Sequence, residues 1–396
     1  MKTSKFYFVI ILLLFLSNLT FAQYTKILNL DYVGLGDTSQ FLDMYIPDNL
    51  TQEVPLVVFI HGGQWRGGDK NLAKKWIDTL LNHPFVIASI NYRLSTQALF
   101  PAQIMDCKAA IRWLKANAST FNIDTNKIAV MGTSSGGHLA ALVGTSMGVD
   151  SLEDLTQGNP GFTSNVMAVL NLFGPTEMLR NDIYHVTTCI DPLSFNDADS
   201  PPSALIGCPI QECPEKVKAI DPVTYLDKSD PPFFILHGDQ DCSVSPFESI
   251  YMDSALDANF MYSDFSLVPG LGHGDDEGWQ TPEMKLKILT FLNEAFTGTL
   301  SDTNNETTIL SDFLFPAYPN PFNSTTTIEY KISKYGNVRI TIFDILGQEI
   351  TTLVDSPRSQ GDYKTLFDAT GLASGIYLYT LTTENFFESK KLILMK

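Results

Sequence analysis

The chain has 396 residues, 44% of them hydrophobic, and a formal net charge of −18, a composition ordinary for globular protein and long enough for two or three domains. Its acidity argues against a nucleic acid or an anionic membrane surface as partner, because an acidic surface repels phosphate polymers and lacks the basic stripe that binds them. The 5 cysteines, an odd count, leave at least one thiol free.

The first residues read as a secretory leader. Lys2 and Lys5 precede an uncharged run over residues 6–16, and Thr20 and Ala22 supply the small residues that suit cleavage after Ala22. The apolar run is too short to span a bilayer and nothing later approaches that length, so a soluble, exported chain is expected once residues 1–22 are removed. Disulfides survive in that setting.

From residue 23 the pattern alternates. Residues 25–30 and 41–46 read as strands; residues 56–60, Leu-Val-Val-Phe-Ile between Pro55 and Gly62, form an unbroken apolar run suited to a strand buried on both faces. Helical spacing over 71–81, a buried strand over 85–90, an amphipathic helix over 102–117 and a strand over 127–131 follow. After a further strand at 166–172, residues 173–232 are rich in proline with little periodicity and predict an insertion that covers a site rather than a core element. Regularity returns with strands at 233–236 and 260–267 and helices at 246–256 and 282–296. Strands alternating with helices of these lengths define an α/β domain over residues 23–298, a mostly parallel sheet flanked by helices.

Residues 299–312 have linker composition. Over 313–396, short alternating runs at 326–332, 338–344, 349–354, 362–367, 375–382 and 388–395 predict a small β-sandwich, without histidine, cysteine or a cluster of acids suited to catalysis. Among the cysteines, Cys107 lies in the amphipathic helix and reads as a buried thiol. Cys208 and Cys213 flank a loop proline and are placed to bridge, and Cys189 with Cys242 is the remaining pairing. No CxxC spacing and no nearby histidine supports a metal site, and no cofactor is implied.

The stretch from Ile128 to Ala140, IAVMGTSSGGHLA, reads as strand, sharp turn and helix. Its turn fits GxSxG with Ser134 central, which holds a hydroxyl out above the sheet. A serine hydroxyl needs a base to take its proton and an acid to orient that base. Downstream lie His138 on the turn's own helix, His185 in the insertion, His237 at a strand end, and His273 in Gly-Leu-Gly-His-Gly. Only His273 follows both a strand and an acid, so it is the candidate base. The acid lies in His237-Gly-Asp-Gln-Asp241, where Asp241 is preferred on loop position and Asp239 is the alternative that caps or braces the turn. Gly63 and Gln64, after the strand ending at Ile60, and Ser135 offer backbone N–H groups to an oxyanion. Trp65 reads equally as a pocket wall or as a buried structural side chain.

The motifs HGGQW, NYRLS, FPAQIMDCKAAIRWLKANA, GTSSGGHLA, DPVTYL with PPFFILHGDQD, and GLGHG resemble the bacterial esterase/lipase branch of the α/β hydrolases, including acetylxylan and feruloyl esterase-like enzymes and related to the hormone-sensitive-lipase group. The resemblance implies a nucleophile at Ser134, an acid at Asp241 rather than Asp239, a base at His273 and oxyanion donors at Gly63, Gln64 and Ser135. Two departures stand out. Gln64 replaces the third glycine usual in that loop and is expected to narrow the acyl pocket, and Ser135 stands where alanine is common, which leaves its backbone donor intact. The C-terminal module, through YPNPFN at 318–323, FDILG at 343–347 and LASGIY at 372–377, is similar to the sorting domain of proteins exported by type IX secretion in Bacteroidota. It implies the secretion machinery as partner and delivery outside the cell.

The leading expectation is a secreted serine carboxylic-ester hydrolase acting on short acyl or polysaccharide-linked esters, acetyl or feruloyl. A serine peptidase of prolyl-peptidase type shares the core but commonly carries a propeller domain. A non-catalytic carbohydrate-binding surface protein suits the β-module and leaves the ordered serine, acid and histidine unexplained.

Overall fold

Apolar runs bounded by proline, glycine or polar turns become the inner strands of an eight-stranded sheet. The computed structural model describes residues 24–300 and 312–396, apart from positions 82, 184–188, 190–191, 275–276, 316, 345–347 and 385. The expected leader and most of the expected linker lie outside the described residues. The strands are β1 (Tyr24–Asp31), β2 (Phe41–Pro47), β3 (Val54–Ile60), β4 (Val86–Ile90), β5 (Ile123–Thr133), β6 (Ala168–Leu172), β7 (Phe233–Gly238) and β8 (Ser263–Val268). Their order is β1-β2-β4-β3-β5-β6-β7-β8. β1 and β2 run antiparallel to their neighbours, and all later pairings are parallel.

The helices are α1 (Lys74–Leu80), α2 (Ala102–Ala116), α3 (Ala118–Phe121), α4 (Ser135–Thr145), α5 (Pro201–Ile206), α6 (Pro214–Ile220), α7 (Phe247–Ala258) and α8 (Pro282–Thr297). Alternation along each strand explains why the runs are apolar throughout. Leu56, Val58 and Ile60 of β3 pack with Ile104 and Ile111 of α2, Leu139 and Leu142 of α4 and Ile250 of α7. Val57 and Phe59 face the other way, onto Trp76 and Leu80 of α1 and Ile288 and Phe291 of α8. Every β3 side chain from Leu56 to Ile60 therefore leaves water, and each such burial contributes roughly 1.5–3 kcal/mol.

Two boundaries differ from the sequence reading for local reasons. The helix expected over 71–81 splits, because the Asp69 carboxylate accepts from Asn71 N at 2.8 Å and caps a 3-10 turn over Lys70–Ala73 before α1 begins. The strand expected from 260 starts at Ser263, because Phe260, at φ 59° and 89% exposed, belongs to the turn that closes α7.

Residues 173–232 correct the reading more substantially. Pro175, Leu193, Phe195 and Pro201 of the segment line the cavity beside Ser134, but the segment is also core: Leu205 of α5, Ile210, and Val217 and Ile220 of α6 are buried in the same cluster as α2 and α4. Its helices are too short for a periodic signal. Each starts at a proline, and Ser200 caps α5 while left-handed Gly207 ends it.

The C-terminal module holds β9 (Phe313–Leu314), β10 (Thr325–Ile332), β11 (Gly336–Asp344), β12 (Glu349–Arg358), β13 (Gly361–Asp368), β14 (Gly375–Thr382) and β15 (Phe387–Leu394). They form a 3-stranded sheet, β13-β10-β9, and a 4-stranded sheet, β12-β11-β14-β15, with Ile328, Tyr330, Ile340, Ile342, Tyr379 and Leu392 in the core. The module docks on the first domain. Lys331 is buried, 3.3 Å from Asp253 of α7 and 5.3 Å from the Phe265 ring centroid, and Phe315 meets Phe247 edge-on. Among the described residues, no helix is long and apolar enough to cross a membrane.

Candidate active site

Parallel register brings the ends of β3, β5, β6 and β7 to one edge of the sheet: Ile60 pairs with Gly132, Thr133 with Leu172, and Leu172 with Leu236. The order β4-β3-β5 makes this a switch point, where successive connections leave in opposite directions and open a crevice. At the end of β5, Ser134 adopts φ 54°, ψ −126° before α4 starts. Such a conformation costs about 1–3 kcal/mol in a non-glycine residue and persists only where surroundings enforce it. Here Ser134 N donates to Leu172 O at 2.9 Å and His138 N to Ser134 O at 3.0 Å. The flanking glycines are contact requirements, since a Cβ on Gly132 would lie 2.1 Å from Gly136 O, and one on Gly136 2.2 Å from Ile60 O.

The two remaining sequence candidates reach this hydroxyl. Ser134 Oγ lies 2.8 Å from His273 Nε2, and His273 Nδ1 lies 2.6 Å from Asp241 Oδ2. The other carboxylate oxygen accepts from Ser243 N at 2.8 Å and Val244 N at 2.9 Å. Burial alone would push the Asp241 carboxyl up, but hydrogen bonds from His237 and His273 outweigh it and hold the group well below the usual carboxylate range. It therefore stays ionised beside the imidazole. Asp239 has the bracing role instead, accepting from Gly270 N at 2.7 Å and tying its loop to the one that carries His273.

The loop after β3 abuts the elbow: a Cβ at Gly62 would lie 2.8 Å from Thr133 O and 3.2 Å from Ser134 Cβ. Gly63, Gln64 and Trp65 all have positive φ, at 124°, 59° and 56°, which curls the chain around this point. Gln64, Trp65, Ser134, Ser135 and His273 line one cavity of about 20 Å³, closed by Pro175, Leu193, Phe195, Pro201, Ser243 and Val244; Gly63 sits one residue behind its wall. Trp65 fills both roles left open by the sequence. It lines the cavity, yet is 2% exposed, with its indole N–H donating to His138 Nδ1 at 3.2 Å. His138 in turn lies 2.7 Å from Ile220 O, and burial holds its pKa down at about 4, so it is a neutral bridge between α4 and α6.

Two contributors were given no role in the sequence reading. His237 Nε2 lies 3.2 Å from Asp241 Oδ2. Phe173 sets its ring edge-on to His273 at 5.1 Å. Cys189 and Cys242 are disulfide-bonded, so the residue after the acid is tied to the insertion; Cys208 bonds Cys213 and Cys107 is free and buried. The i, i+4 spacing of His237 and Asp241 was the only sequence signal for the first of these. Behind the Pro175 wall, buried Glu248 accepts from the N–H groups of Thr176 and Glu177. Burial, then the Glu177 charge, pushes the Glu248 carboxyl well up; burial likewise raises Asp221 well up and Glu177 to about 7, the latter opposed by Arg180. Among the described residues, no group of three or more histidine, cysteine, aspartate or glutamate side chains is arranged to hold a metal ion.

A mostly parallel sheet whose central strand ends in a strained serine, with histidine and aspartate in line behind it, defines an α/β-hydrolase fold. Residues 42–256 match the BD-FAE family model, and the chain belongs to that family. Residues 316–395 match the secretion system C-terminal sorting domain. Among solved structures, the chain is 35% identical to a truncated form of a carbohydrate esterase from gut microbiota, with a TM-score of 0.63 over 70% of this chain and 98% of that one. It is also 35% identical to a bifunctional GH43-CE protein of Bacteroides eggerthii, with a TM-score of 0.63 over 68% of this chain and 35% of that one. Esterase LipC of Mycobacterium tuberculosis is 29% identical over 265 residues, 65% of this chain and 63% of the relative. The chain spans about half to two-thirds the length of the curated relatives it matches first.

Proposed function

We propose that this protein is an exported serine ester hydrolase that releases short acyl groups from carbohydrate esters. The observation that carries the reading is the unbroken line from Ser134 Oγ through His273 to Asp241 Oδ2, with contacts of 2.8 and 2.6 Å. Ser134 Oγ attacks the ester carbonyl carbon while His273 Nε2 takes its proton. The carbonyl oxygen gains negative charge facing the backbone N–H groups of Ser135, Gln64 and Gly63. Collapse expels the alcohol, which leaves with the proton from His273, and an acyl-serine remains. Water then attacks with His273 again as base, and the carboxylic acid departs as Ser134 regains its proton. Asp241 keeps the imidazole in the tautomer this sequence needs.

The cavity beside Ser134, about 20 Å³, holds little more than the 10–15 Å³ that one water needs. A site this small supports a short acyl group. The printed names of the gut carbohydrate esterases support a sugar as the alcohol. The sorting module and the expected leader support delivery outside the cell or to its surface. The test is turnover on acetylated xylan, methyl ferulate, a p-nitrophenyl acyl series and a dipeptide amide, with Ser134→Ala as control. Acetate release lost in the variant is expected. Wild-type turnover by Ser134→Ala would overturn the reading, and ferulate release above acetate release would overturn the acyl assignment.

A further inference from the structure

His237, the penultimate residue of β7, is fully buried and contacts three residues of the site region. Its Nδ1 lies 2.7 Å from Ser249 Oγ of α7, and its Nε2 lies 3.1 Å from Val244 O and 3.2 Å from Asp241 Oδ2. A carbonyl oxygen and a carboxylate only accept, so Nε2 carries a proton, while Nδ1 pairs with the Ser249 hydroxyl. Asp241 thus sits between two imidazoles, because its Oδ2 also meets His273 Nδ1 at 2.6 Å.

We propose that His237 is a positioning residue for the triad: by donating from Nε2 to Asp241 and to Val244 O, it fixes the carboxylate in the rotamer that holds His273. The proposal rests on the serine-hydrolase reading above. The geometry supports it over simple space filling. Backbone N–H groups of Ser243 and Val244 hold only Oδ1. The oxygen that faces His273 is steered from the protein side by His237. Without that donor, Oδ2 keeps one partner and the carboxyl can rotate about its own bond, carrying the His273 ring off the line to Ser134. Displacements of this kind cost rate without weakening ground-state binding.

The experiment uses the full chain with p-nitrophenyl acetate. His237→Leu removes the donor, and His237→Gln returns an N–H near the Nε2 position. The expected result is a fall in kcat of about 10- to 100-fold for His237→Leu with KM within about twofold, and recovery to within about threefold of wild type in His237→Gln. A folded His237→Leu with wild-type kcat, or equal losses in both variants, would overturn the proposal. If His237→Leu melts far below wild type, Ser249→Ala decides: it removes only the Nδ1 partner, and a several-fold fall in kcat at constant KM supports the role while an unchanged kcat rejects it. Ser134→Ala run alongside separates the two claims, since its retained turnover would sink the serine reading whatever His237 does.

Discussion

Ser134 Oγ and His273 Nε2 stand 2.8 Å apart across 139 positions of chain. The contact exists because β5 and β7 end at the same edge of the sheet and the loop after β8 folds back over β7, where Gln240 N donates to Leu271 O at 2.9 Å and Gly270 N to Asp239 Oδ1 at 2.7 Å. Asp241→Asn tests what the third member adds. An amide presents its NH₂ to one neighbour and no longer stabilises the imidazolium, so kcat on an acetyl ester is expected to fall about 10⁴-fold. Stopped-flow or steady-state turnover at neutral pH reads this, and a loss below tenfold would show that the carboxylate is dispensable.

Gly136→Ala tests the elbow without touching any reacting atom. The added methyl would lie 2.2 Å from Ile60 O and 2.6 Å from His61 O. Both are backbone atoms at the start of the Gly63–Gln64 loop, so they yield only by moving that loop. A destabilisation of about 1–3 kcal/mol is expected, together with loss of most of the turnover. Thermal melting and ester hydrolysis measured on the same preparation check both, and a variant with normal melting and rate would contradict the close packing.

Cys189 and Cys242 close a loop with a sequence separation of 53, which stabilises the native state by about 2–4 kcal/mol through the entropy removed from the unfolded chain. Because Cys242 follows Asp241 and its carbonyl accepts from Leu193 N at 3.0 Å, the bond ties the cavity wall to the acid-bearing loop. The Cys189→Ser and Cys242→Ser double variant is expected to melt lower and to lose kcat on the acetyl ester. Equal melting points for the two proteins would count against the tie.

Glu177 sets a pH dependence of stability. Burial raises its folded pKa to about 7 from an ordinary 4.5, with Arg180 opposing. A raised folded value means the native state favours the protonated form. The contribution is full below pH 4.5 and lost as pH rises through about 7. Glu177→Gln should therefore match wild type near pH 4.5 and gain up to about 2 kcal/mol at pH 8. Denaturation at the two pH values measures the difference, and a gain independent of pH would reject the assignment.

Much of the molecule is legible in its sequence. Unbroken apolar runs such as Leu56–Ile60 marked strands buried on two faces, because a strand with helices on both sides has no solvent face to keep polar. The GTSSG turn offered Ser134 and the order of strand, acid and histidine offered His273, while Asp241 was preferred to Asp239 on loop position and on the resemblance; the folded chain brings the three side chains together. The C-terminal module was readable from its alternating runs and its YPNPFN, FDILG and LASGIY segments.

Other features depend on contacts that local sequence does not encode. The short helices within residues 173–232 bury Val217 and Ile220, but a helix of two turns carries too little periodicity to announce its apolar face. His237 looked like an ordinary strand-end histidine until the turn folded its ring against Asp241 Oδ2. The size of the cavity beside Ser134 was likewise undecided, since its walls come from Gln64, Pro175, Phe195 and Val244, distant in sequence and brought together only by the sheet. Residue types and their order specify which chemistry the chain can perform. The shape of the cavity beside Ser134, and the second imidazole behind the acid, arise from side chains meeting across strands, and only the folded chain decides them.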